Sequence, residues 1–470
     1  MLCLIAAAAA AGELPPLVGN GMQVPQEIYL IDAADGACAI PDLQKMLSLL
    51  STIERAACAD PTARKAWAVV KEKTAQLGLA KLSYLPQVTL TGSDGVSSVS
   101  SSSPAAPNYD SATEARHPTE RLDVILTLFD FGLRRATISS AREALASAYG
   151  LRNDALRTVL LNTAQAYFDL QKAQAATKSA REEEETARDL SEVVDGRFRG
   201  GAALLTEKLQ AQSSYDDATI KRVTAEGDAQ TRRGALAVLM GLSASTSFSI
   251  EESDESDIRE VPSSESIDEM TSAALLWDPK VASAYADLHQ AEMDLSAARV
   301  RDLPKLTLED TQNYAADSYF GHNSFSIYQN SADNTSHNNE IMLKITVPIT
   351  ALVGRPYEVR AAEAKVVEKE RDLDTAKLKV STDVWGAYQK MHVALRVLGT
   401  STEMLDLAKE LYTVSGGRYE AGAGSLTDVL NAKNTLEAAR QKHLETVCDL
   451  RAAKLTLLTA LGRMRLPDLE

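Results

Sequence analysis

Asp428 and Asn431 stand three residues apart, at the end of and just after the glycine-rich stretch GRYEAGAGSLTD at 417–428. That spacing puts both on one side of a helix. An acid there can draw cations into a narrow mouth. The same acid can instead serve the helix dipole, beside a cap at Ser425, and the residues alone leave both roles open. A second stretch, GRFRGGAALLTE at 196–207, repeats the first and ends on Glu207. The other reactive residue types build no motif. The six histidines (117, 289, 322, 337, 392 and 443) form no i, i+4 pair and no HExxH, so a catalytic metal has no support. No Ser-His-Asp context, P-loop or dinucleotide fingerprint occurs, and no cofactor is implied. No CxxC pair suggests zinc. Cys38 and Cys58 could close a loop in an oxidising compartment or sit as two buried thiols, and Cys448 lies at a helix position suited to packing. The acids of REEEET at 181–186 spread around a helix and read as a solvated face.

The elements that carry these residues are long helices. Hydrophobic residues make up 45% of the 470 and aromatics only 5%, with Ala, Leu, Glu, Lys and Arg dominant. That balance favours extended helices over a compact enzyme core. A net charge of −16 without a basic cluster argues against nucleic acid, whose phosphates need Lys and Arg. The opening MLCLIAAAAAAGEL has the apolar run and small-residue zone of a secretory signal, placed at 1–20, although it lacks a basic start. Beyond it no apolar run is long enough for a transmembrane helix.

The two glycine stretches belong to a doubled chain. At an offset of 221, Leu205-Thr206 matches Leu426-Thr427, Ala211 matches Ala432, Gly241 matches Gly462 and Tyr167 matches Tyr388. Further upstream the offset becomes 218: DPTARKAW at 60–67 matches DPKVASAY at 278–285, and LPQVTLTG at 85–92 matches LPKLTLED at 303–310. Two tandem copies of about 200 residues follow, too long a period for a solenoid. Each copy reads as a helix (60–84, 270–302), a strand from the Leu-Pro, a polar loop and a second strand. A very long helix (133–197, 357–416), the glycine turn and a closing helix (203–241, 424–462) complete it.

Strict alternation marks the strands: Val88 and Leu90; Leu122, Val124, Leu126 and Leu128; Leu306 and Leu308; Ile341, Leu343, Ile345, Val347 and Ile349. One greasy and one wet face suit an antiparallel sheet. The intervening loops are expected at VSSVSSSSP, 96–104, and at 314–338, whose Tyr314, Tyr319, Phe320, Phe325 and Tyr328 suit an interfacial girdle. The 133–197 helix spans about 97 Å. The shorter helices of that copy nearly equal its length, so they can stack end to end beside it. Four strands cannot close a barrel and leave edges exposed. Three chains would supply twelve, with greasy faces to lipid and a wet lumen.

At this point the chain resembles the TolC family of outer-membrane efflux and secretion channels. The resemblance rests on the duplicated turn, on LPQVTL with LFDFGLRRA at 128–136, on CADPTARKAW, and on ITVPI followed by GRP at 345–356; it covers about residues 40–465. It implies a mainly α protein with a small β part, working as a homotrimer. A twelve-stranded barrel would sit in outer-membrane lipid, with a helical coiled-coil tunnel in the periplasm. It further implies a conduit rather than an enzyme, docking a periplasmic adaptor and an inner-membrane pump of RND or ABC type. The docking tips would be Gly196, Arg197, Gly200 and Gly201 with Gly417, Arg418, Gly422 and Gly424. The same tips form the gate, held closed by coiling of the inner helix pair. The family's two luminal acids fall at Asp428 and Asn431, so one is lost. Thr206 and Glu207 align with a Thr-Asp pair that bonds the neighbouring helix, and Tyr419 with a tyrosine across that lock. A basic partner sometimes found there falls on Gly424 and is absent. Three copies of Asp428 would repel one another, favouring dilation and a raised pKa.

The expected organisation is a signal at 1–20, an N-terminal periplasmic segment at 21–59, repeats at 60–241 and 270–462, an acidic equatorial linker at 242–269 and a tail at 463–470. The rival readings are a periplasmic adaptor, which lacks a duplicated strand pair, and a structural coiled coil, which lacks alternating strands.

Overall fold

The computed structural model describes residues 45–101, 111–251, 266–323 and 330–462. The first copy runs α1 (Leu49–Ala59), α2 (Pro61–Leu82), β1 (Gln87–Ser101), β2 (Ser111–Phe129), α3 (Leu133–Arg199) and α4 (Leu205–Leu239). The second runs α5 (Ile267–Trp277), α6 (Pro279–Val300), β3 (Lys305–Asn323), β4 (Asn330–Thr346), α7 (Ile349–Glu420) and α8 (Leu426–Ala460). The helix expected at 270–302 is therefore two, and α1 is its first-copy counterpart. The break falls at Asp-Pro in both copies. Proline cannot donate to the preceding turn, and the aspartate caps the new helix. Asp60 accepts from Thr62 N at 2.6 Å and Ala63 N at 3.2 Å; Asp278 accepts from Lys280 N at 2.9 Å and Val281 N at 3.4 Å.

α2 and α4 both pack along α3, as the length argument requires, and α6 and α8 lie on α3 as well, so the copies share one body. Each closing helix ends on a left-handed glycine, Gly241 (φ 72°) and Gly462 (φ 66°). A Cβ on Gly241 would lie 2.7 Å from Ala59 Cβ, and one on Gly462 3.1 Å from Trp277 Cβ. The end of α4 is thus seated on the end of α1, and that of α8 on that of α5. Two apolar clusters hold this belt. One joins Ile53, Tyr167, Leu170, Leu236, Met240 and Ile250; the other joins Met270, Leu373, Val384 and Leu457. The Tyr167 hydroxyl donates to Leu47 O at 3.0 Å.

The strands form one antiparallel sheet in the order β1-β2-β3-β4, with β2 and β3 joining the copies. They are longer than expected, 15, 19, 19 and 17 residues, so most of the two presumed loops is strand. Apolar alternation covers only the half nearest the helices, whereas the ladder runs on with polar pairs such as Arg116–Asp94 at 2.5 Å. Leu90, Leu343 and Ile345 are 75%, 63% and 68% exposed in one protomer, a surface suited to lipid rather than water. From Leu128 to Leu122 the band rises about 20 Å, close to the apolar height of an outer-membrane barrel. Tyr314, on His337 at 4.7 Å between centroids, follows just above it within β3. Phe325 and Tyr328 lie outside the described residues. The opposite face is wet: Thr311 donates to Asp123 at 2.9 Å, and Lys344 meets Glu309 at 3.4 Å.

β4 stops at Thr346, and Val347 and Ile349 are not part of it, because Pro348 has no N–H for the ladder. α7 then starts at Ile349, ahead of the expected 357, and carries Pro356 within it. Among the described residues no helix is long and apolar enough to cross a membrane.

Candidate functional site: the paired hairpin tips

The two glycine stretches fold as the same turn. In the first, Gly200 N, Gly201 N and Ala202 N donate to Gly196 O, Phe198 O and Arg197 O at 3.1, 3.0 and 2.8 Å. In the second, Ala421 N, Gly422 N and Ala423 N donate to Gly417 O, Tyr419 O and Arg418 O at 3.1, 3.0 and 2.9 Å. Gly201 (φ 77°) and Gly422 (φ 71°) take the left-handed position that ends each long helix. Gly196 and Gly417 face open space. Gly424 does not: a Cβ there would lie 3.2 Å from both Arg418 Cβ and Tyr419 N. The chain doubles back closely there, so any side chain at 424 would require its neighbours to give by a few tenths of an ångström.

The caps differ between the tips. Ser425 and Asp428 form a reciprocal capping box, each backbone N–H reaching the other's side chain at 3.2 Å. Leu204 offers no side-chain acceptor, so the first tip keeps half the box, Leu204 N to Glu207 Oε2 at 3.1 Å. Asp428 and Asn431 are both exposed, opposite the buried Val429, Ala432 and Lys433. The hydrogen bonds from the Ser425 hydroxyl and backbone, with Arg418 nearby, hold the Asp428 carboxyl below the usual carboxylate range. Within a protomer this is opposite to the rise expected from repulsion among copies, because the cap stabilises the charged form.

Val194, Ala211 and Leu426 are buried together, with Leu190, Tyr419 and Leu430 against them, which glues the two tips side by side. The Arg197 guanidinium lies over the Tyr419 ring at 4.9 Å. A basic partner for Tyr419 is therefore supplied by the other tip, whereas the resemblance placed the basic position of the lock at Gly424. The first tip repeats the pairing internally, Lys208 Nζ lying 5.2 Å from the Phe198 ring. Asp195 meets Lys208 at 2.7 Å and also pairs with Arg199, and the Lys208 bond leads in lowering its carboxyl pKa. Thr206 is exposed at the start of α4 and Arg418 at the end of α7.

Away from the tips, the sheet register gathers residues that no sequence motif joins. His117 Nε2 meets Ser97 Oγ at 2.7 Å, and Nδ1 meets Asp317 Oδ1 at 2.9 Å. The β2–β3 pairing skips His117 and Pro118, so these side chains tie three strands where the ladder is interrupted. Only the register, across spacings of 20 and 200 residues, brings them together. Among the described residues no group of three or more His, Cys, Asp or Glu is placed to hold a metal. Cys58 is disulfide-bonded and Cys448 is free and buried, while Cys38 lies outside the described residues.

A helical rod with two tight turns at one end and a sheet with a lipid-height apolar band at the other is the protomer of an outer-membrane channel. The chain matches the outer membrane efflux protein family over residues 52–242 and 270–463, one match per copy, and belongs to that family. It is 28% identical to protein CyaE of Bordetella pertussis over 89% of this chain and 84% of that protein. It is 24% identical to the pyoverdine export outer membrane protein OpmQ of Pseudomonas aeruginosa, over 96% and 94%. The crystal structure of CusC superposes with a TM-score of 0.74 at 19% identity, covering 95% of this chain and 99% of that one. The protein is thus an outer-membrane exit duct of the efflux and secretion kind, with its tunnel in the periplasm.

Proposed function

We propose that three copies close one twelve-stranded barrel and that the paired tips are both gate and docking ring. A periplasmic adaptor and an inner-membrane pump of RND or ABC type would engage Gly196, Arg197, Gly200 and Gly201 with Gly417, Arg418, Gly422 and Gly424. Asp428 and Asn431 line the mouth, while Thr206, Glu207 and Tyr419 belong to the lock. The observation that carries this reading is the packing of two equivalent turns side by side at the end opposite the apolar band, with an ionised Asp428 on the exposed face. A Cys38–Cys58 bridge would brace the N-terminal segment. Transport through such a duct is passive, driven by the pump.

Planar-bilayer recordings of purified protein test the gate. Asp428→Ala is expected to lower cation selectivity and cation block; unchanged selectivity overturns the gate role. A heat-sensitive trimer in the outer-membrane fraction is expected on gels, and a soluble monomer would sink the assembly.

A further inference from the structure

Lys433 is 3% exposed, a cation deep in the seam between α8 and the α3/α4 hairpin. Its ammonium donates to the backbone carbonyl of Glu183 on α3 at 3.0 Å. The Glu183 carboxylate is held in turn by Lys221 of α4 at 3.1 Å, and Lys221 also meets Asp217 at 3.1 Å. One turn along α8, Glu437 accepts from the Ser179 hydroxyl of α3 at 3.1 Å and pairs with Arg440 at 3.2 Å. Arg440 reaches Glu182 of α3 at 3.9 Å. α7 meets the other side of α8 through an apolar contact, Ala408 with Leu436 and Ala439.

The duplication shows that the scaffold does not require this arrangement. At the 221 offset Lys433 corresponds to Gln212 and Glu437 to Asp216. There the pair closes on itself along one helix, Gln212 Nε2 to Asp216 Oδ1 at 3.1 Å, at exposed positions. In the second copy the equivalent residues are turned inward and reach across to another hairpin. Lys433 stands about 12 Å along α8 from the Ser425 cap, on the face opposite Asp428 and Asn431.

We propose that Lys433 and Glu437 form an intraprotomer clamp, above the tips, that positions the gate face of α8 against the α3/α4 hairpin and sets how readily the duct opens. The proposal rests on the gated-duct reading and adds its control. The clamp is charge-sensitive. Burial is confined to Lys433 and to the Glu183 and Glu437 side chains, while Glu182, Asp217, Lys221 and Arg440 border them at more exposed positions. Burial pushes the Glu437 carboxyl up, against the opposing pull of Arg440, the Ser179 hydroxyl and Lys433 and with the help of Glu183, and pushes the Lys433 ammonium down. A carboxyl raised in the closed state stabilises that state below its raised pKa and loses that contribution as pH rises through it. The clamp therefore tightens as pH falls through the titration of Glu437.

Single-channel recordings of the purified full-length protein across a pH series that starts at the ordinary carboxylate range and rises from it test this. Wild type should open more often as pH rises. Glu437→Gln, fixed in the neutral form, should stay at the low, acid-like open probability across the range. Lys433→Met, which keeps most of the volume but removes the ammonium, should raise open probability about 10-fold at pH 7, since loss of one partner of a buried ionic set is costly. Lys433→Arg should restore most of the closure. Resistance of each trimer to heating on a gel checks assembly. Assembled Lys433→Met channels with wild-type open probability and pH profile overturn the clamp. Wild type that forms no channel overturns the duct reading as well.

Discussion

The clearest energetic contrast lies at the two Asp-Pro helix breaks. Asp278 is 3% exposed; it caps α6 and also binds the Arg157 guanidinium of α3 at 2.5 Å. Asp60, its first-copy counterpart, makes the cap alone, without an ion pair among the described residues. Asp60→Ala therefore removes a cap worth about 1 kcal/mol. Asp278→Ala removes an equal cap and strands Arg157. Breaking a fully buried pair costs about 3–5 kcal/mol, but the Arg157 side chain is 21% exposed and water recovers part of that. The expected excess for the pair is about 2 kcal/mol, giving about 3 kcal/mol in all. Urea unfolding of the detergent-solubilised protein, followed by far-ultraviolet dichroism, measures both variants in one background. Arg157→Met with Asp278→Ala completes a cycle in which the double variant should cost less than the two singles added. Equal midpoints for Asp60→Ala and Asp278→Ala would refute the reasoning, because the cap would then be the whole contribution.

Other outcomes follow from the same geometry. Gly241→Ala should destabilise by about 2–3 kcal/mol, combining left-handed strain with overpacking against Ala59, and Gly462→Ala by less; thermal unfolding ranks them. Arg197→Ala should cost about 0.5–1 kcal/mol of tip cohesion and raise open probability in bilayers, and Tyr419→Leu should remove most of that difference. Because the Asp428 carboxyl is held low, its capping contribution is present above the ordinary aspartate pKa and is lost as pH falls through the lowered one. Cation selectivity should persist to correspondingly acid pH, and Ser425→Ala should shift that loss to higher pH. Unshifted selectivity in Ser425→Ala would sink the cap account.

The duplication carried most of the fold. It located both turns, all four strands and the long helices because glycine turns, Leu-Pro starts and period-2 alternation are local signals. Two kinds of feature escaped. The upper strands read as loops because Ser97, Asp317 and Asn334 carry no apolar alternation, and only pairing partners distant in sequence make them strand. The break at Asp278-Pro279 is not legible from apolar periodicity, which continues across it, and Pro279 is its one local mark. At the site, Asp428 and its cap were legible from spacing. Arg197 on Tyr419 was not, because that contact depends on how two hairpins lie together.

The asymmetry between the copies is where function separates from scaffold. Features that serve folding recur at matched offsets: the left-handed glycines at 201 and 422 and at 241 and 462, and the Asp-Pro caps at 60 and 278. Three features of the second copy have no match in the first, and two of them are contacts with the first copy. Ser425 completes a box that Leu204 leaves half made, Lys433 is buried where Gln212 is exposed, and Asp278 holds Arg157 where Asp60, among the described residues, makes the cap without an ion pair. The last two tie a second-copy helix to the long α3 of the first. A duplicated chain that only needed to be a rod could keep both halves alike. Under the gating proposed above, a contact found in one copy alone is the kind that lets α8 move against α3, and Lys433 on the Glu183 carbonyl is that contact.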